Sequence, residues 1–155
     1  MAEHRDDNAL PRNAAYASPS ALTLALRSYA DARHASLIEA RQVLGVNELD
    51  ARALLFIANH PGSRPTSLRE YLGITSAGVT ALVDRLENRG AVRREVDPDD
   101  RRVSRLTATV DLSAEPWSAL TRFDTNLERA LAGADAADTE RLAALVVALT
   151  DAAAG

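Results

Sequence analysis

Cysteine and lysine are both absent from the 155 residues, and methionine and tryptophan each occur once. The missing thiols exclude disulfides, thiolate metal sites and a peroxide-sensing sulfur. Aromatic residues make up only 4% of the chain, so each one on a helix face is conspicuous. No apolar run approaches the roughly 20 residues of a membrane span. The opening stretch MAEHRDDNALPRNAAYASPS is polar and lacks the apolar core of a signal peptide. A cytoplasmic protein with no membrane partner is expected. There is no glycine-rich phosphate loop, nucleophile elbow or histidine–carboxylate constellation, and Glu70 and Asp84 are single acids on helices. An enzyme is therefore not expected. His34 and His60 are not paired at helical spacing, so neither a metal nor a cofactor is expected.

What is present is a globular composition, 46% hydrophobic and 26% charged, which fits one domain with extensions. All 18 basic residues are arginine, and the net charge is −4. That charge is unevenly spread. Residues 62–109 hold nine arginines against seven acids, while the remainder holds nine against fifteen. Arginine is the better fork for phosphates and guanine edges. A local basic excess thus sits inside an acidic chain.

Residues 1–17 read as a loose arm. SPSALTLALRSYADARHASLIEARQVLG reads as a long helix, with Ser18 as cap, Pro19 in its first turn and Gly45 as its stop. A second helix, NELDARALLFIANHPG, has Asn47 as cap and a buried face of Leu49, Ala53, Leu54, Phe56 and Ile57. A short helix, TSLREYLGI, follows, capped by Thr66 or Ser67 and ended by Gly73. After a tight turn, SAGVTALVDRLENRG forms a fourth helix. Thr75 caps it, Val79, Leu82, Val83 and Leu86 face inward, and Gly90 stops it. Two short helices joined by such a turn form a helix-turn-helix. The period then changes. AVRREV and RVSRLTATV are β-favouring and flank DPDD, a hairpin signal. Two helices close the chain. Trp117, Leu120, Phe123, Leu127 and Leu131 line the first, capped by Asp111 or Ser113 with Pro116 in its first turn. Leu142, Leu145, Val146 and Leu149 line the second, capped by Asp135 or Asp138.

A hairpin directly after a helix-turn-helix makes a winged helix, with the acids and arginines of DPDDRR at the wing tip. The stretch GITSAGVTALVDRLENRGAVRREVDPDDRR resembles the MarR (multiple antibiotic resistance regulator) family of bacterial transcription factors. The resemblance is specific over residues 73–102 and architectural over most of residues 20–150. It implies a fold that is mainly α with a small β-hairpin wing, flanked by N- and C-terminal dimerisation helices. It also implies a homodimer on a two-fold DNA site and a small aromatic effector; the leading expectation is a ligand-responsive repressor, whose effector is anionic if Arg33, Arg52 or His34 holds it. The expected layout is an arm (1–17), a dimerisation helix (18–46), a winged helix-turn-helix (47–110) and C-terminal dimerisation helices (111–155).

Three departures from the family pattern stand out. Ala81 occupies a position where the family often has arginine. Gly78 interrupts the recognition helix, at a cost of up to ~1 kcal/mol, and permits close approach to a DNA backbone. Leu106-Thr107 falls two residues early for the family's Leu-Thr pair, so either it or Ala108-Thr109 takes that place.

Candidate DNA residues follow from position. Thr75, Ser76, Ala77 and Thr80 open the recognition helix, where base edges are read. Arg85 reaches phosphate or pairs near Asp84. Thr66, Ser67 and Arg69 lie at a helix start suited to phosphate. Arg93, Arg94 and Arg105 are phosphate contacts or a solvated hairpin face. One of Arg101 and Arg102 enters a minor groove, where narrow width concentrates negative potential, and the other pairs with Asp99 or Asp100. Which does which stays open. Tyr29, Arg33, Phe56 and Trp117, with His34 or Arg52, are candidates for an effector pocket, against the plainer reading of core packing. The competing function is a winged-helix protein-interaction module with weak or no DNA binding.

Overall fold

A computed structural model describes residues 18–97 and 103–155. Its elements, in order, are α1 (Ala21–Leu44), α2 (Glu48–Asn59), α3 (Pro65–Leu72), α4 (Ser76–Asn88), β1 (Val92–Val96) and β2 (Ser104–Ala108). A 3-10 turn (Trp117–Leu120), α5 (Arg122–Leu131) and α6 (Ala136–Ala154) complete the chain. The fold is mostly helical with one antiparallel hairpin, as the sequence predicts. The arm at 1–17 and the wing tip at 98–102 lie outside the described residues.

The chain divides into two units, Met1–Ala32 and Arg33–Gly155. The described part of the first is the leading half of α1. Its cap is Ser20, whose Oγ accepts from the Thr23 amide at 3.2 Å, rather than Ser18. Leu24, Leu26 and Tyr29 are exposed along it.

In the second unit, α2, α3 and α4 pack around one core with the hairpin against it. Asn47 caps α2 by accepting from the Asp50 amide at 2.8 Å. Ala53, Leu54 and Ile57 are fully buried, while Leu49 is exposed and Phe56 is half-buried, so the buried face is narrower than expected. The start of α3 differs from the sequence reading. Arg64 is the cap and Pro65 occupies the first turn, so Thr66 and Ser67 lie inside the helix and neither caps it. Proline suits that turn because its missing N–H would have no partner there. Gly73, at φ +66°, closes α3 in the left-handed region that favours glycine. The expected inward face of α4, namely Val79, Leu82, Val83 and Leu86, is buried in full.

The hairpin pairs Val92 with Ala108 through to Val96 with Ser104. It gains a third edge that the sequence did not suggest. The Leu106 amide donates to the Ser63 carbonyl at 2.8 Å, and the Gly62 amide donates to the Leu106 carbonyl at 2.9 Å. Leu106 is completely buried, which settles it as the strand's core residue. Thr109 instead ends the strand by donating its hydroxyl to the Gly90 carbonyl at 2.7 Å.

The C-terminal helices also differ from expectation. The stripe from Trp117 to Leu131 is split at Thr121, whose hydroxyl donates to the Leu112 carbonyl at 2.8 Å. Asp111 holds the Ser113 amide and hydroxyl, and so shapes a turn instead of capping a helix. These two bonds, the hydroxyl first, hold the Asp111 carboxyl below the usual range. Asp135 is the cap of α6, accepting from the Asp138 amide at 3.0 Å. Neither α5 nor α6 contributes a buried residue.

Truncating Leu106 to alanine removes a fully buried side chain at the meeting of three backbone segments. Chemical denaturation should register a loss of about 2–5 kcal/mol. Val96→Ala, on the exposed part of the same hairpin, should cost less than about 0.5 kcal/mol. Equal effects at the two sites would refute this account of the wing.

Candidate nucleic-acid interface

Burying one face of α4 leaves the other in water. Ser76, Ala77, Thr80, Ala81, Asp84 and Asn88 are exposed there. Thr75 sets the start of the helix, its Oγ1 accepting from the Gly78 amide at 3.1 Å. A Cβ at Gly78 would lie 3.3 Å from that Oγ1 and 3.6 Å from Ile74 Cδ1, so the glycine has a local reason: it makes room for the cap. Thr80 donates its hydroxyl back to the Ser76 carbonyl at 3.1 Å.

Beside this face runs a shallow cavity of about 270 Å³. It brings together Thr66 and Arg69 of α3, Ser76 and Thr80 of α4, and Arg94 and Ser104 of the hairpin. Five of the candidates from the sequence, Thr66, Arg69, Ser76, Thr80 and Arg94, therefore share one surface. Ser67 is exposed on α3 but does not line this cavity.

The arginines are less available than the sequence implied. Arg85 turns to α2, donating to Asp50 from Nη2 at 2.6 Å and from Nε at 3.3 Å. Asp50 is only 3% exposed. Its hydrogen bond raises the Arg85 pKa above an already high value. Arg85 thus braces α4, and the alternative of a pairing near Asp84 is not seen. Asp84 belongs to Arg94, which reaches it at 2.6 Å, touches the Thr80 carbonyl at 3.3 Å and approaches Glu87 at 3.5 Å. One side chain of β1 thereby ties the wing to α4. Arg93 pairs with Glu95 at 3.0 Å and Arg69 stands 3.9 Å from Glu70.

At the wing base, Arg105 donates to the buried Asp97 at 2.8 Å. The sequence places Asp97 in the DPDD hairpin signal and does not point to this pair. Its only signal was an acid and an arginine on opposite sides of the hairpin. Arg101 and Arg102 lie outside the described residues.

A second cavity, of about 620 Å³, opens within the second unit. Arg33, His34, Arg52, Phe56, His60 and Tyr71 are on its walls. Phe56 stacks on His60 at 4.4 Å and on Tyr71 at 4.6 Å, and Arg52 lies 5.4 Å above the Tyr71 ring. Arg33 grips Asp124 with two bonds, at 2.9 and 3.1 Å. Arg41 bonds Glu48 at 2.8 Å, and that bond holds the Glu48 carboxyl below its usual range. Of the four pocket candidates, Arg33 and Phe56 line the cavity. Trp117 does not; it packs half-buried against the core. Tyr29 belongs to the first unit. Tyr71 and Asp124 were missed, because nothing local in sequence ties them to α2 or α1.

The fold and this surface define a winged helix-turn-helix protein. The sequence model of the MarR family matches residues 44–103. The uncharacterized HTH-type transcriptional regulator YcgE of Bacillus subtilis is 40% identical over 63 residues, 41% of each chain. The match thus spans less than half of that curated relative's length. Solved structures agree in fold. A mutant of S. aureus MepR bound to an oligodeoxyribonucleotide has a TM-score of 0.57 at 17% identity, covering 86% of this chain and 99% of that one. RV1404 from Mycobacterium tuberculosis has a TM-score of 0.62 at 23% identity, covering 89% and 97%.

Replacing Asp50 with asparagine removes the charge that holds Arg85. The expected loss is about 1–3 kcal/mol, toward the lower end because the Arg85 side chain is 47% exposed. In a double-mutant cycle, Asp50→Asn with Arg85→Met should cost clearly less than the two single changes summed. Strict additivity would mean that the pair does not brace α4.

Proposed function

We propose that the chain is a ligand-responsive transcriptional regulator, a homodimeric repressor that binds a palindromic operator in double-stranded DNA. The observation that carries this reading is the α3–turn–α4 pair, which leaves a small, polar face of α4 exposed beside a hairpin. A helix so presented enters a major groove with its first residues at base edges. In this reading Thr75, Ser76, Ala77 and Thr80 face the bases. Thr66, Ser67 and Arg69 meet phosphate, and Arg101 or Arg102 enters the minor groove. MepR, similar in fold, has been solved with an oligodeoxyribonucleotide, which supports the same use here.

Dimerisation is supported by apolar side chains that the chain itself leaves in water. Leu142, Leu145 and Val147 of α6 are 51%, 49% and 60% exposed, and Leu24 and Leu26 of α1 are exposed as well. A second copy covering these helices would place two recognition helices about 34–36 Å apart, one turn of DNA. The 620 Å³ cavity is the candidate effector site. Its arginines, histidines and stacked rings suit a small aromatic or anionic molecule, which would act by shifting the population of two dimer geometries.

A mobility shift with DNA from upstream of the protein's own gene, run across a salt series, tests this. Tight binding that weakens steeply with salt is expected, because phosphate contacts release counterions. Changing both Arg101 and Arg102 to alanine should weaken binding at least tenfold with no change in circular dichroism. Unaltered binding would remove the wing from the interface. Light scattering at micromolar concentration should give a dimer, and Leu142→Glu with Leu145→Glu should shift it toward the monomer. One observation favours the second reading, a protein-interaction module: Arg85, Arg94 and Arg105 are all held by acids of the same chain. Absent or salt-independent DNA binding would decide for it.

A further inference from the structure

We infer that α4 reads thymine methyl groups and base amino groups, and does not read guanine edges. This rests on the proposed DNA-binding role and assigns that role a class of site. The outward stripe of α4 carries Ala77, Thr80, Ala81 and Asp84. Ala77 and Ala81 offer only methyl groups. Thr80 gives its hydroxyl proton to the Ser76 carbonyl, so toward a base its side chain offers a methyl and a hydroxyl lone pair, which accepts from a base amino group. Alanine and the threonine methyl meet the thymine C5-methyl in a major groove.

Guanine presents two acceptors there, N7 and O6, and its usual reader is a cationic fork. Two arginines that reach the side of this helix, Arg85 and Arg94, are held by acids. Arg85 uses Nε and Nη2 on Asp50 and Nη1 on the Ala81 carbonyl, which turns its fork toward α2 and its own helix backbone. Arg94 is held by Asp84, Glu87 and the Thr80 carbonyl.

Asp84 adds the second half of the code. An ionised carboxylate only accepts hydrogen bonds, so it is repelled by guanine N7 and O6 and by thymine O4. It takes the amino group of cytosine or adenine. A lone carboxylate on this face would oppose DNA phosphates. Arg94, 2.6 Å from Oδ1, compensates that charge, and half of the Asp84 side chain stays exposed. The expected half-site therefore places thymines opposite Ala77, Thr80 and Ala81, with a cytosine or adenine amino group opposite Asp84.

The test begins with selection of bound duplexes from a random pool by the full chain. In the enriched site, thymines are replaced by uracil one at a time, and guanines by 7-deazaguanine, which lacks N7. Each contacted methyl removed should weaken binding by about fourfold, and 7-deazaguanine should change it less than about twofold. Asp84→Asn should move the preference at one base pair toward adenine, which an amide pairs with bidentately. Uracil without effect, or a tenfold loss on 7-deazaguanine, overturns the inference and leaves the DNA-binding reading standing. A pool with no enrichment overturns both.

Discussion

The wing depends on Leu106. Its side chain is fully buried, and its amide and carbonyl are both taken by the 62–63 segment between α2 and α3. Across the hairpin it faces Arg94. Two strands alone are marginal in water. Here the hairpin borrows a third edge from the loop that leads into the helix-turn-helix. The loop and the wing consequently fix one another, and the position of β2 follows from where α2 ends. Gly62, at φ +77°, makes that possible, because it turns the chain after α2 in a conformation that side chains rarely adopt.

Ion pairs then set α4 within that frame. Asp50 pulls on its side through Arg85, and Arg94 ties its outer edge to β1. Its far end is held differently. Arg89, the residue that closes α4, donates to the Leu44 and Gly45 carbonyls at 3.2 and 2.6 Å. Those carbonyls end α1 and have no partner within that helix, so a cation there also meets the negative end of the helix dipole. The wall of the larger cavity that carries Arg33, His34 and Arg41 is part of α1. In the proposed function, a molecule that displaces α1 therefore reaches α4 through Arg89.

Local signals carried most of the fold. Asn47, Thr75 and Asp135 cap as their positions suggest, Gly73 closes α3, and the 79, 82, 83, 86 spacing is the buried face of α4. Some errors were local, and others arose where a distant partner outweighed a local preference. Thr66 and Ser67 look like caps, yet Arg64 and Pro65 take the start of α3. Phe56 fits a helical core stripe, yet stacks between His60 and Tyr71. Arg85 beside Asp84 suggested a local pair, but its partner lies thirty-five positions away. Arg33 and Asp124 are ninety-one positions apart. Periodicity records which face of a helix is apolar, and is silent about which charged groups tertiary packing brings together.

That distinction bears on why an acidic protein would hold so many acids among its wing arginines. An unpaired arginine attracts any phosphate, and the resulting affinity is independent of sequence. Pairing Arg85, Arg94 and Arg105 with Asp50, Asp84 and Asp97 keeps their geometry and removes most of that general attraction. Asp50 also makes the Arg85 guanidinium a fixed part of the scaffold, since two bonds from one fork fix its orientation. In the proposed function, discrimination between DNA sites then falls to the small groups on α4 and to the wing tip. The electrostatic term is confined to a few residues around Arg69 and the tip arginines. In that reading non-specific DNA is bound weakly, and the acidic total is part of the selectivity instead of an argument against DNA.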